Sequence, residues 1–94
     1  MAAKLIHRSR FVYADGALRE MVLWQVPRTR HHPFGLKYRL YYGDSEGKCQ
    51  VRYDNERGKG DHRHGIDREA AYQFIDVDTL VADFLADIKR LRGE

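Results

Sequence analysis

The chain carries a single cysteine, Cys49, and only two prolines, Pro27 and Pro33. One thiol cannot close an internal disulfide, which excludes a disulfide-stapled secreted scaffold and fits a reducing cytoplasm. No apolar run approaches the roughly 20 residues that a membrane-spanning helix needs. The opening Met1-Ala2-Ala3-Lys4-Leu5-Ile6-His7 is followed by arginine too soon to serve as a secretory signal. Internal repeats and low-complexity segments are also missing. The balance of 43% hydrophobic and 33% charged residues over 94 positions excludes a disordered chain and predicts one domain, 1–94, with one modest core. A net charge of +3 and a pI near 9.2 mildly favour an anionic partner such as nucleic acid.

What is present reads first as strands. Residues 4–13 have β-branched and aromatic weight in Phe11, Val12 and Tyr13, and Asp15-Gly16 marks a tight turn. Residues 18–26 carry apolar groups on both faces, which predicts a central strand partly covered twice. Residues 27–35 form a basic loop with Arg28, Arg30, His31 and His32. Residues 36–42 alternate Leu36, Tyr38, Leu40 and Tyr42 against Lys37, Arg39 and Tyr41, the period-two pattern of a half-buried strand. A turn at Asp44-Ser45-Glu46-Gly47 leads to a fourth strand, 48–54, and residues 71–75 read as a short fifth. Asp76 or Asp78 caps a helix to about residue 92, with Val77, Leu80, Val81, Phe84, Leu85, Ile88 and Leu91 on one stripe. Its acidic start and basic end suit the helix dipole. The expected fold is α+β: an antiparallel meander of four to five strands with one C-terminal helix packed on the sheet. Trp24, Tyr38, Tyr42, Phe84 and the Cys49 thiol are expected in its core.

The chemistry concentrates in residues 52–65, read as a strand end followed by a long loop. This stretch holds two histidines, a tyrosine, an asparagine, three carboxylates, four cations and three glycines. In an extended segment His62 and His64 project to the same side. Two imidazoles can take one proton and return another near neutral pH, the requirement of metal-free RNA cleavage. Lys59 and Tyr53 are further catalytic candidates. Arg52, Arg57, Arg63 and Asn55 are candidates for holding phosphate, with cations stabilising the charge that grows on it. Arg28 and Arg30 are expected to join the cations of this loop in one basic surface. A metal alternative uses His62, His64 and Asp54 or Asp61 to hold a divalent ion that activates water. No cofactor is expected. The competing reading is a solvated polar loop that only grips nucleic acid or a protein partner. Gly58-Lys59-Gly60 lacks the spacing of a P-loop.

The run Arg52-Tyr53-Asp54-Asn55, then Gly58-Lys59-Gly60-Asp61-His62-Arg63-His64 and Tyr72-Gln73-Phe74, resembles the TumE family of bacterial toxin–antitoxin proteins. The likeness extends to the opening Ile6-His7-Arg8-Ser9-Arg10. It places Tyr53, Asp54, Asn55, Lys59, His62 and His64 on the family motif, while Gly65-Ile66 stands where the family order is Ile-Gly. The resemblance implies a small cytoplasmic growth-inhibiting toxin encoded beside an antitoxin that often carries a helix-turn-helix domain.

Overall fold

A computed structural model describes residues 3–56, 60–66 and 68–94. Six strands, β1 (Lys4–Val12), β2 (Leu18–Gln25), β3 (Leu36–Gly43), β4 (Cys49–Asp54), β5 (His62–His64) and β6 (Glu69–Ala71), precede one helix, α1 (Val77–Leu91). They form one antiparallel sheet in sequence order. The α+β meander and its C-terminal helix match expectation, with six strands in place of four or five.

Turn chemistry fixes the hairpins. At the β1–β2 turn Gly16 has φ +92° and the Asp15 carboxylate accepts from the Ala17 N–H at 3.0 Å, so a short polar side chain closes a turn that only glycine enters without strain. Between β3 and β4, Asp44 Oδ1 accepts from both the Glu46 and Lys48 N–H groups. The helix begins at its N-cap Asp76, which accepts from the Thr79 N–H at 2.7 Å.

One face of the sheet makes the core. Leu23, Leu36, Tyr38, Leu40, Tyr42, Val51 and Tyr53 meet Leu80, Phe84 and Ile88 of the helix, which packs across β4. The helix end is tied down by Arg92. Its guanidinium lies 4.0 Å over the Tyr13 ring, donates to the Tyr42 hydroxyl and pairs with Asp15 at 3.2 Å. The other face has no helix on it, and Lys37 and Arg39 stand exposed there in the middle of β3.

Three expectations change. Trp24 is half-buried and belongs to the face without the helix, because the flanking strands cover it only with long side chains such as Arg8, 5.9 Å from its ring. Strand 18–26 is accordingly covered once, not twice. The fifth strand is His62–His64 and the sixth ends at Ala71, so residues 71–75 are mostly irregular, with Tyr72 and Phe74 turned against the core. The sequence hid β5 because its inward residue is Arg63, where an apolar side chain would be the usual signal.

A candidate active site on the face without the helix

Pairing sets the site. In the β4–β5 ladder His64 lies opposite Arg52 and His62 opposite Asp54. Directly opposed residues share a face, so these four side chains emerge together, on the side away from α1. The β3–β4 ladder adds Arg39 opposite Asp54 and Tyr41 opposite Arg52. Arg52 Nε donates to Asp54 Oδ2 at 2.9 Å. A cleft of about 340 Å³ beside them is lined by Lys37, Arg39, Arg52, Asp54, Asn55 and Glu56.

The imidazoles lie nearly parallel, 27° between planes and 6.3 Å between centroids. Both reach one oxygen of Glu69 on β6: His62 Nε2 at 3.5 Å and His64 Nε2 at 3.4 Å. The two nitrogens are therefore no farther apart than the sum of those distances. His62 Nδ1 lies 3.0 Å from the Gly60 carbonyl oxygen. That acceptor requires a hydrogen on Nδ1, so neutral His62 carries its lone pair on Nε2. Gly60 has φ +72°, the left-handed backbone that delivers its carbonyl to the ring. The side chains of His62 and His64 are 19% and 28% exposed, reachable from solvent yet held.

The other candidates go elsewhere. Tyr53 and Arg63 point to the helix. The Tyr53 hydroxyl donates to Asp87 Oδ2 at 2.6 Å, and Arg63 Nε donates to the same oxygen at 2.9 Å. Burial, then the hydrogen bond to Asp87, pushes the Tyr53 hydroxyl far above its ordinary pKa. Arg63 is likewise held charged, chiefly by its hydrogen bond to Asp87. Burial alone would raise Asp87, but hydrogen bonds from Arg63, Tyr53 and Arg90 outweigh it and hold the carboxyl below the usual range. Asn55 is buried; its Oδ1 accepts from the Tyr38 N–H at 2.9 Å and its Nδ2 donates to the Leu36 carbonyl at 2.7 Å. It prolongs the β3–β4 ladder through its side chain. Tyr53 and Arg63 are thus not brought together with the histidines, because alternation sends them through the sheet, whereas Asn55 lines the cleft with its amide bound to the backbone. Arg57 and Lys59 lie outside the described residues.

For the metal alternative, the Asp54 carboxylate is engaged by Arg52. Among the described residues no three side chains of metal-binding type gather closely enough to hold an ion. The Asp61 carboxylate accepts from the Tyr38 hydroxyl at 2.5 Å, and burial foremost, then this bond, pushes that hydroxyl far up.

The sequence reading missed Glu69, Lys37, Arg39 and Tyr41. The alternation of strand 36–42 already separated the last three from the core. Only the register could bring them beside His62 and His64.

Neither a curated protein nor a solved structure matches the chain significantly. A family model described as Toxin TumE matches residues 2–92, nearly the whole length and including every residue of the histidine face, so the chain belongs to the TumE toxin family.

Proposed function

We propose that this toxin cleaves RNA without a metal, His62 acting as base and His64 as acid. The observation that carries the reading is the convergence of both Nε2 atoms on Glu69 beside a cation-lined cleft. His62 Nε2, left with its lone pair by the Gly60 carbonyl, takes the proton of a ribose 2′-hydroxyl. The 2′-oxygen then bonds to phosphorus and the bond to the 5′-oxygen breaks. His64 Nε2–H supplies the proton to that leaving oxygen, giving a 2′,3′-cyclic phosphate and a 5′-hydroxyl. Arg52 and Arg39 stand where charge would grow on the phosphate oxygens. Arg57, next in sequence to the cleft residue Glu56, and Lys59, two positions further on, are candidates for the same task. Glu69 acts as the positioning residue for the His64 Nε2–H and stabilises the proton that His62 Nε2 gains.

A toxin requires a means of restraint, and the partner proposed is a cognate antitoxin, in the family pattern one with a helix-turn-helix domain. Among the described residues no helix is long and apolar enough to cross a membrane. An RNA target and a lone thiol both suit the cytoplasm.

The test is cleavage of single-stranded RNA by purified protein in EDTA. His62→Ala and His64→Ala should each lose about 10²- to 10⁴-fold in rate and relieve growth inhibition, with the fold retained by circular dichroism. Cleavage that appears only with added divalent metal would transfer the assignment to the His62, His64 and Asp54 metal alternative. Histidine variants that stay fully toxic would leave a non-catalytic binding module.

A further inference from the structure

We infer that the face of the sheet opposite the helix is a track for single-stranded RNA, running from Trp24 on β2 to the histidine pair on β5. The inference rests on the cleavage reading in that it names the substrate of the same site, but Arg8, Trp24 and Lys37, which extend the path, lie outside the histidine cluster. Cross-strand neighbours lay out the path: Trp24 opposite Lys37, Val22 opposite Arg39, then Tyr41 opposite Arg52, and Arg52 opposite His64. At its outer edge Arg8 lies 5.9 Å from the Trp24 ring centre, and Arg39 lies 5.1 Å from that of Tyr41. Arg10 stands opposite Glu20, 3.8 Å from its carboxylate.

Two features select the ligand. Lys37 and Arg39 are exposed on one strand of the open face, and no ion pair engages Arg8, Lys37 or Arg39 among the described residues. Cations so placed suit a polyanion. Trp24 and Tyr41 each carry a guanidinium over the ring, from Arg8 and Arg39, and such guanidinium and ring planes can be used only by unstacked bases, which favours a single strand over a duplex. From β2 to β5 is three strand spacings, roughly 14 Å. An extended, unstacked strand crosses that distance in a few nucleotides before the scissile phosphate reaches His62 and His64.

Trp24 is the only tryptophan in the chain, so its emission reports directly on the far end of the track. The probe is a short oligouridylate with 2′-O-methyl groups, which cannot be cleaved, added to the intact protein. Saturable quenching of Trp24 is expected, with a salt slope that falls by about 0.7 for each of Lys37→Ala and Arg39→Ala. Trp24→Leu should weaken binding about 5- to 100-fold, measured with a labelled oligonucleotide, and Trp24→Phe should recover most of it. The charge variants and the quenching stand even if Trp24→Leu fails to fold. Absent quenching, a slope unmoved by both charge variants, or equal affinity for duplex RNA of the same length would overturn the track. The two readings separate cleanly. Histidine-dependent cleavage without Trp24 quenching removes the track and keeps the chemistry; quenching and charge dependence without cleavage do the reverse.

Discussion

Asp87 is buried at 6% exposure in the middle of a helix face that otherwise reads as apolar. It is tolerated because three donors meet it: the Tyr53 hydroxyl, Arg63 and Arg90. Removing one member of such a group leaves the others desolvated and unmatched. Asp87→Ala should therefore cost about 3–5 kcal/mol, read from urea unfolding. The pH dependence follows from the lowered native pKa. The stabilisation is present above the unfolded carboxyl value, about 3.9, and is lost as pH falls through the lower native value. Asp87→Asn should flatten the acid limb of the stability profile below about pH 4; an unchanged limb would assign acid unfolding to other carboxylates. This residue was not legible in the sequence. Its partner Arg63 was, but as a phosphate ligand, since a cation between two histidines gives no hint of which face it takes until the strand is known to be paired.

At the level of elements, the four long strands announced themselves by alternation and turn residues, and the helix by its stripe and its Asp76 cap. β5 did not, for the charged inward residue just described. Its three residues exist as a strand only because β4 and β6 flank them, which local sequence cannot report. The helix has a consequence that can be measured separately from chemistry. Phe84 is fully buried and meets Tyr53 edge to face at 6.0 Å between centroids. Phe84→Ala should cost about 3–5 kcal/mol, a large share of the roughly 5–15 kcal/mol that holds a domain folded. Phe84→Leu should cost less and lower the melting temperature. At temperatures where it remains folded it should keep the parent's toxicity, and on the proposed function its rate of RNA cleavage, because the ring sits on the far side of the sheet from His62 and His64. A loss of rate in the folded protein would show that the helix reaches the active face after all.

Over the whole molecule, the modest +3 charge understates how the charge is laid out. Of the cations expected to share one basic surface, Arg52 stands on the open sheet face beside Arg39, Arg30 lines a cleft with Gly60 and Asp61, Arg63 is withdrawn to the helix side, and Arg57 and Lys59 lie outside the described residues. The fold was largely legible, because hydrophobic alternation encodes each strand. The candidate site was legible in its two histidines and Arg52, and obscure wherever register decides.

The two faces also interleave along one stretch of chain. Val51, Tyr53 and Arg63 hold the protein together, while their immediate neighbours Arg52, His62 and His64 face the cleft side. Selection for cells that survive expression of the toxin should consequently return two classes of escape allele that alternate by codon. Those at the first set should yield insoluble or degraded protein; those at the second should accumulate to normal levels and do no harm. A blot of the survivors, ordered by position, would read out the pleat of the sheet from genetics alone.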